Sequence, residues 1–197
     1  MKNIIPKDTR YIPLTQQKSC CVPTSISIVM LKLGIPLVSQ ELLGAHLGLI
    51  VDKKNEGLFW NAFTGEKPKS GYGTRMSDGR YAMNTAFKKL KIPLKGEYFS
   101  ISNFKTKKDL VSFISDRIKK NGDIIACFNS GTLNNDNKKK GGHLAVVDRI
   151  FPKINIIRLI DPSPSQPKWR EVSINKLKKA MELHPVDGGL WELKKVK

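Results

Sequence analysis

Residues 15–34, TQQKSCCVPTSISIVMLKLG, set two adjacent cysteines at the entrance of an apolar segment, in a chain with only one other cysteine. Ile26, Ile28, Val29, Leu31 and Leu33 are apolar nearly all round, which predicts a buried core helix over 21–34. Pro23 is compatible with that helix because it falls in the first turn, and Gly34 ends it. A thiol attacks as thiolate, and a helix N-terminus favours the anion through its unpaired N–H groups and its dipole. Cys21 occupies that place, and Cys20 lies just outside it. The stretch therefore asks for an imidazole to activate Cys21 and a third group to orient the imidazole.

The chain has three histidines. His46 lies in a predicted short helix, where a structural or surface role is expected, and His184 precedes Pro185 in a turn and is expected to be exposed. His143 differs, because it opens the strand HLAVVDRI after two glycines, which let backbone and substrate approach closely. Asp161 ends the strand INIIRLI, where Pro162 stops it. A hairpin between these two strands returns the chain to its start and brings His143 and Asp161 to one end of neighbouring strands. An acid leaving a strand into DPSP also serves simply as a turn former. An oxyanion hole needs two donors; the Cys21 N–H is one, and the side-chain amide of Gln16 or Gln17 is available as the second.

The rest of the chain reads as α+β. RYIPL is an extended lead-in or short strand, and SQELLGAHLGL a short helix with Ser39 as cap. Residues 52–79 have no clear period and read as a long loop, with Trp60 and Tyr72 as candidates to shape a cleft. Residues 79–91 form a helix, and TKKDLVSFISDRIKKNG a second one with Thr106 and Asp109 as a capping box. The period then changes to that of strands over 123–129, 143–150 and 154–160. A helix over SINKLKKAMEL and a closing strand at LWELKKV follow. Helices first and an antiparallel sheet afterwards is an α+β order, and 197 residues without repeats or linkers are expected to form one domain, 1–197.

Composition narrows the function. The formal net charge is +18, from 35 Lys and Arg against 17 Asp and Glu. Such a field attracts nucleic acid, anionic lipid or acidic polymers, but the lysines are spread along the chain without a recognition motif. A solvated basic surface is the favoured reading over nucleic-acid binding. The cysteines are too few for a disulfide framework, and neither a signal peptide nor a membrane span is visible. A cytoplasmic location is the expectation. No Cys/His spacing argues for a metal, and no cofactor is expected.

These motifs resemble the papain-like cysteine peptidases, and within them the bacteriocin-leader (double-glycine) peptidases and their broader relatives. CVPTS at 21–25 is similar to the segment carrying their nucleophile, with Val22 in place of the usual Gly; GGHLAVVDRI is similar to their His strand and IIRLIDPSP to their Asp strand. The likeness runs from about residue 11 to residue 183. It implies a papain-like fold, with the nucleophile on a central helix packed on a C-terminal antiparallel sheet. It further implies Cys21 as nucleophile, His143 as general base and acid, Asp161 as its orienter and a Gln in the oxyanion hole. Gln16 is the expected one, although family members commonly carry it one position earlier, where this chain has Thr15. The implied activity is cleavage of a peptide or amide bond through a thioester, on a peptide or protein substrate that the charge would suit if acidic. The alternatives are a thiol-dependent acyl or peptidyl transferase, and a catalytically idle papain-like binding domain. Leader peptidases usually sit fused to a transporter, and no membrane segment or nucleotide-binding motif is visible here.

Overall fold

The computed structural model describes residues 6–58, 65, 67, 69–136 and 141–196. Its centre is helix α1 (Cys21–Lys32), whose residues from Val22 to Met30 are all buried. A helix buried on every side must satisfy its own polar groups. Thr24 and Ser27 do so by donating their hydroxyls to the carbonyls of Cys20 and Pro23, one turn back. Ser25 instead reaches across to the carbonyl of Leu144. Gly34 takes the left-handed conformation at φ +64°, so that the N–H groups of Gly34 and Ile35 return to Leu31 and Met30 and close the helix end.

Helix α2 (Gln40–His46) starts at Ser39, whose hydroxyl accepts from the Leu42 N–H, as expected of a cap. Among the described residues of 50–79, strands β1 (Ile50–Val51) and β2 (Lys69–Ser70) pair in parallel, and a 3-10 turn spans Lys53–Leu58. Trp60 lies outside the described residues. The helix expected over 79–91 is split into a 3-10 turn (Gly79–Tyr81) and α3 (Met83–Lys89), because Ala82 between them is extended at ψ 145°. Strand β3 (Leu94–Ser100) follows, then α4 (Lys107–Lys119) with the Thr106–Asp109 capping box formed in both directions.

The remaining elements are β4 (Asp123–Asn129), α5 (Ser130–Asn134), β5 (Gly142–Phe151), β6 (Ile156–Ile160), β7 (Trp169–Ser173), α6 (Ile174–Glu182) and β8 (Gly189–Lys195). Six strands form one antiparallel sheet in the order β3-β8-β4-β5-β6-β7. Strand β6 starts later than the expected residue 154, because Pro152–Ile154 form a 3-10 turn and Asn155 turns the chain at φ +56°. The lead-in at Arg10–Leu14 pairs with no strand; it is tied down by the Arg10 N–H on Asp148 and the Tyr11 hydroxyl on Asp123.

Both faces of the sheet are covered. Ile125 and Cys127 of β4 point into a core shared with α1, α2 and α3, while Ile124, Ala126 and Phe128 point into a second core under α4 and α6. Burial on both sides explains why β4 reads as an unbroken apolar run rather than an alternating one. The architecture is thus α+β, with α1 laid across the sheet against β5.

Candidate active site

Cys21 is the first residue of α1, and Cys20 before it has non-helical backbone at φ −95°, ψ 28°. The two side chains consequently diverge. Cys20 is fully buried against Leu49 and Val51, and burial pushes its thiol up to about 12. Cys21 is half-buried, and its surroundings act in opposite directions. Burial alone would raise its thiol, but the His143 imidazole, together with the backbone N–H groups of Leu144 and Val22, outweighs burial and lowers it. Among the described residues no acceptor takes the Cys21 N–H itself.

His143 reaches α1 because the second residue of β5 lies opposite Phe128 of β4, whose ring meets the imidazole edge-on at 5.5 Å. Its Nε2 lies 2.8 Å from Asp161 Oδ1, so Nε2–H donates to the carboxylate and Nδ1 is left for Cys21. Burial depresses the imidazole, but Asp161 and the Cys21 thiolate more than compensate and raise it to about 10. Asp161 follows the last residue of β6, beside the start of β5, as the hairpin argument required. It is fully buried, yet burial is overcome by His143, by the Ser163 N–H on Oδ1 and by Arg170, which together hold its carboxyl below the usual range.

The two glutamines separate clearly. The Gln17 N–H donates to the Gln40 side chain, and the Gln17 amide interacts with Glu41 of α2. Gln16 lines the same cleft as His143 and Asp161, its N–H fixed on the Pro162 carbonyl at 2.9 Å. Its side-chain Oε1 is buried without a hydrogen-bond partner. The cleft, about 450 Å³, is also lined by Lys18, Tyr72, Ser130, Asn134, Ser163 and Arg170. Tyr72 comes from the 52–79 stretch and lies over Gly141, so part of that loop does border the cleft.

Three neighbours escape a reading of the sequence. Arg170 donates Nη1 to Asp161 Oδ2 at 3.2 Å, and its only signal is an arginine at an alternating position of the short strand WREVS. Asn134, on the unforeseen α5, accepts from Arg170 at 2.7 Å. His184 is not the exposed turn residue expected. It is half-buried, with Nε2 at 3.5 Å from Cys127 Sγ, and Nδ1 accepts the N–H groups of Val186 and Asp187. Cys127 itself is buried, which pushes its thiol up to about 12. Among the described residues no group of three His, Cys, Asp or Glu side chains is disposed to hold a metal ion. None of the described helices is long and apolar enough to cross a membrane.

No family model matches the chain, and no curated protein matches it in sequence. Solved structures do match in fold. One is a Bacillus anthracis protein classed as a C39-like peptidase: TM-score 0.57, 18% identity, covering 94% of this chain and 96% of that one. Another is the peptidase domain of Streptococcus ComA, a bi-functional ABC transporter involved in a quorum sensing pathway: TM-score 0.50, 14% identity, covering 95% and 98%. The chain has the papain-like fold of C39-like peptidases.

Proposed function

We propose that this protein is a cysteine peptidase or amidase in which Cys21, His143 and Asp161 form the catalytic triad. The observation that carries the reading is the chain of contacts from Cys21 through His143 to Asp161, with the Nε2–Oδ1 separation of 2.8 Å. In this mechanism His143 and Cys21 rest as imidazolium and thiolate. The thiolate attacks the substrate carbonyl carbon, and the oxyanion that forms is held by the Cys21 N–H and the Gln16 amide. His143 gives its Nδ1 proton to the departing amine as the C–N bond breaks, leaving an acyl thioester on Cys21. A water molecule then loses its proton to His143 and attacks the thioester; the C–S bond breaks, releasing the acid and restoring the ion pair.

The substrate we infer is a peptide or protein segment that is polar or acidic where it meets the cleft. Lys18 stands at the lining, and the only carboxylate among the described lining residues, Asp161, is already paired with His143 and Arg170. An activity-based thiol probe, followed by cleavage of a peptide library, tests the reading. Labelling at Cys21, lost in His143→Ala, together with cleavage enriched in acidic flanking residues, is the expected result. Absence of both labelling and cleavage overturns it.

A further inference from the structure

Arg170 is the one buried cation that touches the Cys21–His143–Asp161 constellation among the described residues. It reaches Asp161 because residues 161–168 fold back on themselves, with the Asp161 N–H donating to the Lys168 carbonyl at 3.1 Å. Its guanidinium is used on two sides. Nη1 donates to Asp161 Oδ2 at 3.2 Å, and Nη2 donates to the Leu133 carbonyl at 3.1 Å and to Asn134 Oδ1 at 2.7 Å. Leu133 and Asn134 form the end of α5, where free carbonyls and the helix dipole favour a cation. The arginine therefore fastens the carboxylate to a second element of the fold, and one donor from each of three segments surrounds Asp161.

We propose that Arg170 is a positioning residue for catalysis, acting through Asp161 to orient the His143 imidazole and to limit how strongly the carboxylate holds the imidazolium proton. The inference rests on the triad reading above. Electrostatics gives it a sign. Asp161 faces His143 from β5, the Ser163 N–H and Lys168 from its own loop, and Arg170 from β7; Cys21 on α1 acts through His143. Lys168 spends its ammonium on the Pro162 and Ser163 carbonyls, so Arg170 is the cation hydrogen-bonded to the carboxylate. Charges alternate along the line: thiolate, imidazolium, carboxylate, guanidinium. Removing the last leaves a less neutralised carboxylate next to the imidazolium, which then keeps its proton to higher pH. An imidazolium that holds its proton too well is a poorer acid toward the leaving amine.

The experiment compares Arg170→Met, Arg170→Lys and the unaltered protein by two readouts. The first is the pH dependence of Cys21 alkylation by iodoacetamide, which needs no turnover. The second is kcat and KM on a cleavable peptide. Arg170→Met is expected to move the alkaline inflection, where His143 loses its proton, up by about one pH unit. It should also lower kcat by about ten- to a hundredfold with KM unchanged. Arg170→Lys keeps the charge and loses the fork, so it should restore the inflection and only part of kcat. If Arg170→Met does not fold, Asn134→Ala serves instead: it releases one anchor of the guanidinium and should lower kcat severalfold without moving the inflection. An unmoved inflection in Arg170→Met, a loss confined to KM, or an unchanged kcat in Asn134→Ala overturns the inference. A loss confined to KM would mean that Arg170 binds substrate instead. If the unaltered protein shows no alkylation plateau below the ordinary thiol range, the triad reading itself fails; a plateau that Arg170→Met leaves unmoved sinks only the role of Arg170.

Discussion

The His143 Nε2 atom lies 2.8 Å from Asp161 Oδ1, although 18 residues of chain separate the two side chains. The contact fixes which ring nitrogen faces Cys21. Asp161→Asn retains the shape but removes the charge and presents an amide that can turn its own N–H toward the ring. We expect kcat/KM to fall by about two to four orders of magnitude while the folded structure is kept. Circular dichroism and peptide cleavage on the same preparation check this.

The three thiols should differ in reactivity at neutral pH. Cys20 and Cys127 are each pushed up to about 12 by burial, whereas Cys21 is lowered. Iodoacetamide mapped by mass should modify Cys21 first by a wide margin, and His143→Ala should remove that preference.

Activity should follow a bell in pH. Its acid limb lies below the ordinary thiol value of 9.0, where Cys21 takes up its proton, and its alkaline limb falls near pH 10, where His143 loses its own. The same signs govern stability. An imidazole raised from 6.5 to about 10 contributes stability that is complete below 6.5 and lost as pH rises through 10. The lowered thiol contributes above 9.0 and loses its share as pH falls through its depressed value. Denaturant titrations of the protein and of His143→Ala across the alkaline range should converge above pH 10.

The upstream glutamines should separate by function. Gln16 lines the cleft with its Oε1 unpaired, and Gln17 is engaged with α2. Gln16→Ala should lower kcat by about a hundred- to a thousandfold, the cost of losing one oxyanion donor. Gln17→Ala should leave kcat within a factor of about two, because the interaction lost is a surface one.

Gly142 is needed for a close approach. A Cβ there would stand 2.2 Å from His184 Nε2, and the His184 ring is held by two backbone N–H groups. Gly142→Ala should therefore cost about 1–3 kcal/mol by overpacking. The cost should shrink in a His184→Ala background, which a double-mutant cycle by chemical denaturation would measure.

Much of this arrangement was readable because it is local. The α1 segment, the capping box of α4 and the apolar runs of β4, β5 and β6 are each coded by neighbours in sequence, and the hairpin rule then placed Asp161 beside His143. What escaped depends on distant partners. Strand β3 carries Gly96 and charged residues that look like a loop, yet Gly96 is the residue that admits Met83 and Leu193 against the sheet. Strand β7 is five residues long with an arginine at its second position, and that arginine is tolerated inside only because Asp161 and α5 satisfy it. His184 looked like a surface turn residue because nothing nearby in sequence announces Cys127, which lies 57 residues earlier.

The sheet order has a consequence for how the molecule comes into being. Strand β8 is the last to be synthesised, yet it is inserted between β3 and β4. A nascent chain that has not yet released residues 189–195 leaves β4, buried along its whole length in the finished fold, as an open edge, with β3 detached from the rest of the sheet. That edge is the natural point of attachment for a chaperone, or for another unfinished copy. Until β8 arrives, the strand that supports His143 through Phe128 lacks one of its two neighbours, so the geometry around His143 is expected to be complete only after residues 189–195 have joined the sheet.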